Sequence, residues 1–330
     1  MERVILPFEV DAIPRTYQFQ AYVSGAIMSN IQNSELWLCN RFINCSYHSN
    51  PVIRSYAEDF WMFSDGMTFK YMIEIPPAMY ENKGLDIIEL HKSMLRQGIY
   101  VGGFWDEYYI PNKSAYQVRH YYHDHFVVGF DDEKQIFRVV GYWDDGRYGY
   151  RDVCYHDYYQ SVVCALQDKV TMCYYRFNKD YVLQLDDKHI KRELENYLYS
   201  RKGKEFVGTE LAFGFEAWDK LVELVEEIEH SGDTAFEIKH SRCYVEHRLM
   251  MYRRIKVLYQ YGLFEQSDII QRYYDKVACQ AEIVHKLCIK SNLSHNMALL
   301  KTVREMMMEI NQEEKLLIAE LLARWNENTG

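Results

Sequence analysis

Tyr121-Tyr122-His123-Asp124-His125-Phe126-Val127-Val128-Gly129-Phe130-Asp131-Asp132 decides how this chain folds, because a polar, histidine-bearing opening gives way to an apolar run that stops at two aspartates. Phe126 to Phe130 read as a strand, Asp131-Asp132-Glu133-Lys134 as a hairpin connection, and Ile136-Phe137-Arg138-Val139-Val140-Gly141-Tyr142 as the return strand. Side chains alternate across a strand, so His123 and His125 are expected on one face. Asp144, just past the return strand, is expected beside the start of the first one, since hairpin partners bring one strand's end next to the other's beginning. Asp145 and Asp124 are the alternatives at that place.

Working outward, β-branched and aromatic runs continue the strand pattern at residues 68–75, 98–104 and 170–177, and they predict a largely antiparallel sheet. Helical spacing of apolar residues falls at 21–31, 36–44, 85–96 and 157–166. Beyond residue 185 strand signals stop, and helices are expected over 187–201, 215–230 (with Gly232 as its stop), 235–261, 267–290 and 295–325. The expectation is therefore an α+β domain over 1–185 followed by an all-α domain over 186–330. In the latter, Arg248, Arg253, Arg254 and Lys256 form a basic group on one helix, readable as a solvated face or as a docking strip for an acidic partner.

Composition bounds the function. Hydrophobic residues are 48% and charged residues 26% of 330, which is ordinary for a globular protein. The net charge of -10 argues against nucleic acid, whose phosphates call for a basic surface. No apolar run approaches a bilayer span, and Met1-Glu2-Arg3-Val4-Ile5-Leu6-Pro7 lacks the form of a secretory leader, so a cytoplasmic address without membrane attachment is expected. Eight cysteines without a Cys-x-x-Cys pair read as reduced, mostly packed thiols. The 29 tyrosines, dense between Tyr108 and Tyr159, suit strand faces and half-wet clefts, and Tyr122 is a candidate substrate contact.

Three segments carry a family likeness: Val4-Ile5-Leu6-Pro7-Phe8, Asp106-Glu107-Tyr108-Tyr109-Ile110-Pro111, and His123-Asp124 with Gly129-Phe130-Asp131. Over roughly the first half, the chain resembles the butirosin-biosynthesis acyltransferase family, whose N-terminal domain is papain-like and which is linked to nonribosomal peptide and polyketide pathways. The resemblance implies a papain-like fold and an acyltransferase, or thioester or amide hydrolase, that moves an acyl group from a carrier-protein thioester to a small-molecule amine in antibiotic biosynthesis. It implies His123 as catalytic base, with His125 as competitor and Asp144 as orienter. The phosphopantetheine arm of an acyl or peptidyl carrier protein would be substrate, no separate cofactor is called for, and a homodimer is compatible.

The nucleophile is the departure. Such enzymes open their first long helix with cysteine, whereas Tyr17-Gln18-Phe19-Gln20-Ala21-Tyr22-Val23-Ser24-Gly25-Ala26-Ile27 holds none. Gln18 or Gln20 remains as an amide donor for an oxyanion, Ser24 as a hydroxyl, and Cys45 as the better of the two nearest thiols, although the end of a helix would raise its pKa. A catalytically inactive scaffold that binds a carrier protein or peptide intermediate is the alternative. His120, His123 and His125 also read as a weak metal-ligand cluster that would need His91 or His156 to complete it.

Overall fold

The computed structural model describes residues 2–48, 52–55, 67–75, 79, 85–164, 170–203, 210–231 and 236–326. The chain divides into two compact units, residues 1–32 with 60–182, and residues 33–59 with 183–330. A single cut at residue 185 therefore misplaces residues 33–59, which belong with the C-terminal half. No helix among the described residues is long and apolar enough to cross a membrane.

The first unit is α+β, built on one antiparallel sheet. Strands β4 (Thr68–Ile75), β5 (Tyr100–Asp106), β6 (Tyr122–Asp131), β7 (Ile136–Tyr142), β8 (Tyr148–Cys154) and β9 (Val170–Phe177) lie in the order β4-β9-β5-β6-β7-β8. The expected hairpin forms, with Phe130 opposite Phe137 and Asp131, expected in the turn, paired with Ile136; the register shifts between Val127 and Gly129. The first half of β6 pairs with β5, and its second half pairs with β1 (Arg3–Ile5). Helix α1 (Gln18–Asn30) packs on the face that carries Phe126, whose ring stacks on Tyr22 at 5.0 Å and on Tyr100 at 5.4 Å. Each such contact is worth about 0.5–1.5 kcal/mol beyond the area it buries. Helices α3 (Ile87–Arg96) and α4 (Tyr155–Cys164) cover the other face, closing a core of Ile87, Leu95, Val127, Phe137, Val139 and Tyr158.

Helix α1 starts at Gln18, earlier than apolar spacing suggests, and it is buried almost all round from Gln18 to Ile27. Gly25 is required in it because a Cβ there would sit 2.3 Å from the Phe8 ring and 2.8 Å from the Glu9 carbonyl. That close approach lets the Glu9 amide donate to the Gly25 carbonyl at 3.0 Å.

The second unit is mostly helical but contains strands, contrary to an all-α expectation. Strands β2 (Cys45–His48), β3 (Val52–Ser55) and β10 (Glu210–Phe213) make a small antiparallel sheet in the order β10-β2-β3. Around it stand α2 (Ser34–Asn40), α5 (Asp187–Leu198), α6 (Gly214–Ser231), α7 (Ile238–Gln260), α8 (Asp268–Tyr273), a π-helical turn (Tyr274–Ala278), α9 (Cys279–Ser294) and α10 (Ala298–Ala323). Helix α2 is shorter than expected, so Cys45 opens a strand instead of closing a helix. The helix expected over 267–290 is interrupted by the π turn, and Gly232 lies outside the described residues.

The basic group on α7 is neither solvated nor a docking strip at its centre. Arg248 is fully buried, 2.9 Å from Glu314, whose other oxygen accepts from Tyr273 Oη at 2.5 Å. Arg254 is also buried and donates to the carbonyls of Leu38 at 3.2 Å, Cys39 at 2.9 Å and Arg41, so it caps the end of α2. Arg253 is half-exposed, 3.9 Å from Glu35.

Candidate functional site

Where α1 begins, the backbone leaves amides that the helix itself cannot satisfy. Its N-cap, Tyr17, is extended and offers no side-chain cap, and no acidic residue occupies the first turn. The first helical residue is Gln18, and its carboxamide is fixed at both ends. Nε2 donates to the Asp124 carbonyl at 2.7 Å and lies 3.1 Å from His123 Nδ1 and 3.3 Å from Asp124 Oδ1. Oε1 accepts from the Tyr142 amide at 2.8 Å. Gly141 makes the room, since a Cβ there would come within 2.9 Å of Gln18 Oε1.

His123 stands at the mouth of β6 with its side chain 36% exposed. Its Nδ1 is 3.2 Å from Asp124 Oδ1 and 3.7 Å from Glu107 Oε1. Burial raises the Asp124 carboxyl above its ordinary pKa, opposed by the His123 charge and the Gln18 hydrogen bond. Glu107 is itself buried and bridged at 3.0 Å by Lys113, whose ammonium also donates to the Tyr142 carbonyl at 2.6 Å and lies 4.8 Å from the Trp143 ring centroid. Lys113 thus ties the loop after β5 to the end of β7. Asp106 anchors the same loop by accepting from the Tyr108 and Tyr121 amides at 3.1 and 3.0 Å.

These residues border an open cavity of about 330 Å³, lined by Thr16, Tyr17, Gln18, Glu107, Lys113 and His123, with Tyr121, Tyr142, Trp143 and Asp144 at its sides. The volume lies in the range of small-molecule sites. A second, smaller cavity of about 30 Å³ is lined by residues of α1, β5, β6 and β9, among them Tyr22, Phe104, Asp124, His125, Cys173 and Tyr175.

The structure brings Gln18, His123, Asp124 and Asp144 to one place and distributes the other candidates elsewhere. Asp144 lines the cavity from the turn between β7 and β8, with its amide donating to the Asn112 carbonyl at 3.0 Å, but the carboxylates at the imidazole are Asp124 and Glu107. Sequence reading passed over Glu107 as a partner, although it stands in a segment that carries the family likeness. His125 is buried, stacked on Trp105 at 5.0 Å and 2.9 Å from Tyr158 Oη, and burial pushes its pKa down to about 3. It is a neutral core histidine. Ser24 is fully buried and donates to the Pro14 carbonyl at 3.2 Å, and Gln20 is buried in the same helix. Tyr122 is exposed, opposite Asp106 in the ladder, and lines neither cavity.

Cys45 is a packed thiol. It belongs to the second unit, is fully buried, and its thiol lies 3.2 Å from the Gly214 carbonyl, with burial raising its pKa well above the ordinary value. The histidines do not converge on a metal either: His120 Nδ1 lies 2.5 Å from Asp106, His123 faces Gln18, and His125 faces Tyr158. Among the described residues no group of three or more His, Cys, Asp or Glu is arranged to hold a metal ion.

The arrangement has three of the four parts of a thiol-activating centre: a helix N-terminus, an adjacent imidazole, and carboxylates on that imidazole. At the first position of the helix, beside the imidazole, stands the Gln18 carboxamide, which is neither nucleophile nor base at ordinary pH. No hydrogen bond links the Ser114 hydroxyl, the nearby serine of the cavity wall, to His123 among the described residues. A scan of protein-family models finds no match to this chain, and no curated protein matches it.

Proposed function

We propose that the first unit is a catalytically silent scaffold of papain-like type, which holds an acyl or peptidyl intermediate, presented on a carrier-protein phosphopantetheine arm, without cleaving it. One observation carries this reading: Gln18 occupies the first position of α1 and is bonded on both sides, to Asp124 and to Tyr142, beside His123. A side chain placed there by four neighbouring atoms is part of the built site. The aromatic walls and the 330 Å³ cavity support binding of a small group.

A second reading, amide formation with His123 as general base and no covalent intermediate, is favoured by the carboxylates at 3.2 and 3.7 Å from its Nδ1. Turnover of a carrier-bound acyl thioester separates the two. The scaffold binds the loaded carrier and leaves its hydrolysis and aminolysis at the uncatalysed rate, unchanged by His123→Gln. A rate above background that falls by about 10²- to 10⁴-fold in His123→Gln would replace the scaffold with the enzyme.

A further inference from the structure

The two edges of the large sheet are finished differently. At one side β8 carries charged residues in ion pairs, Asp152 with Arg138 at 2.9 Å and Arg151 with Asp145 at 3.0 Å, the usual protection of a strand with an unpaired side. At the other side stands β4. All eight of its residues, Thr68 to Ile75, pair with β9 without a bulge, and no strand among the described residues pairs with its outer side. Phe69, Tyr71 and Ile73 share one face by alternation, and they are 44%, 54% and 45% exposed. Such a strand, about 26 Å long, offers a row of backbone donors and acceptors beside an apolar stripe, and an edge of this kind invites pairing with another strand.

We propose that β4 is a dimerisation edge, which pairs antiparallel with β4 of a second copy of this chain and continues the sheet across a two-fold axis. The strand is complementary to itself, and that is what selects a second copy as its occupant. With Met72 on the axis, Lys70 falls opposite the partner's Glu74 and Tyr71 opposite the partner's Ile73, and the symmetry makes each pair twice. Opposite charges and aromatic–aliphatic pairs facing each other stabilise neighbouring antiparallel strands. With Tyr71 on the axis instead, Lys70 faces the partner's Met72 and Glu74 faces the partner's Thr68, so that both charges lose their counterpart. The pairing is independent of what the cavity at His123 holds.

Sedimentation equilibrium of the full chain should show a reversible monomer–dimer equilibrium with a Kd of roughly 1–100 μM, the range of a small interface. Tyr71→Lys, which puts a charge on the apolar stripe, should weaken self-association by at least about 10-fold. Charge tests the register. Lys70→Glu and Glu74→Lys each set like charges opposite one another and should each weaken the dimer by about 10-fold, whereas an equimolar mixture of the two variants should recover the parental affinity, because each supplies the charges that the other lacks. Should a single variant fail to fold by circular dichroism, the double variant Lys70→Glu/Glu74→Lys takes its place and should dimerise like the parent. A chain that stays monomeric at about 200 μM, a dimer undiminished by Tyr71→Lys, or a mixture or double variant that associates no more tightly than a single charge variant would each overturn the β4 pairing.

Discussion

Gln18 shows what a single side chain can do to a site of this kind. Its carboxamide satisfies the Tyr142 amide and the Asp124 carbonyl at once, at the first position of α1, the end of the helix dipole that favours an anion. Two rows away on the same strand as His123, His125 follows different physics. His125 and His91 share the Tyr158 hydroxyl, at 2.9 and 3.1 Å, and burial drives both pKa values down to about 3 from an ordinary 6.5. A histidine depressed in the folded state contributes stability that is fully present above pH 6.5 and is lost as pH falls toward 3, because the unfolded chain takes the proton first. The loss is on the order of 1.4 kcal/mol per histidine per pH unit within that window. Denaturant titrations at pH 7 and pH 5 should show His125→Asn less stable than the parent at pH 7 but with a shallower acid loss. An identical slope in parent and variant would show that His125 is not held neutral. The sequence made His123 and His125 look alike because alternation puts both on one face; only the Trp105 and Tyr158 rings, from other elements, separate their roles.

Elements whose patterns are local were legible, and those set by distant contacts were not. The hairpin of β6 and β7 was readable because alternation and the acidic turn both lie within it. Helix α1 was harder, since a helix buried all round has no amphipathic stripe and its polar first residue, Gln18, is buried by partners from β6 and β7. The same reason defeated the reading of α7. Arg254 looked like surface charge, yet it is surrounded by the final carbonyls of α2, a helix some 200 residues away in sequence, and its pKa falls to about 10 by burial. Arg254→Met removes the donors of those carbonyls, and urea unfolding should report a loss of about 2–4 kcal/mol. A variant as stable as the parent, but weaker in partner binding, would restore the docking strip.

At the scale of the molecule, the change of pattern near residue 185 was visible, but the ownership of residues 33–59 was not, because nothing in a short helix and strand says which core will receive them. Helix α2 packs on α7, β2 pairs with β10, His247 lies 2.9 Å from the Ile43 carbonyl, and Asn40 donates to the Gln184 carbonyl at 2.8 Å. A fragment of residues 183–330 alone should therefore lack a cooperative thermal transition, whereas the same fragment with residues 33–59 joined to it should unfold cooperatively; equal behaviour of the two would contradict the division. The proposal that the first unit is a papain-like frame carrying an amide where a thiol would act is tested most directly by Gln18→Cys. The pH dependence of iodoacetamide labelling at the introduced thiol should give a pKa at least about one unit below the ordinary 8.5, returning toward 8.5 when His123→Ala is added. An introduced thiol with an ordinary or raised pKa, indifferent to the His123→Ala change, would contradict the account.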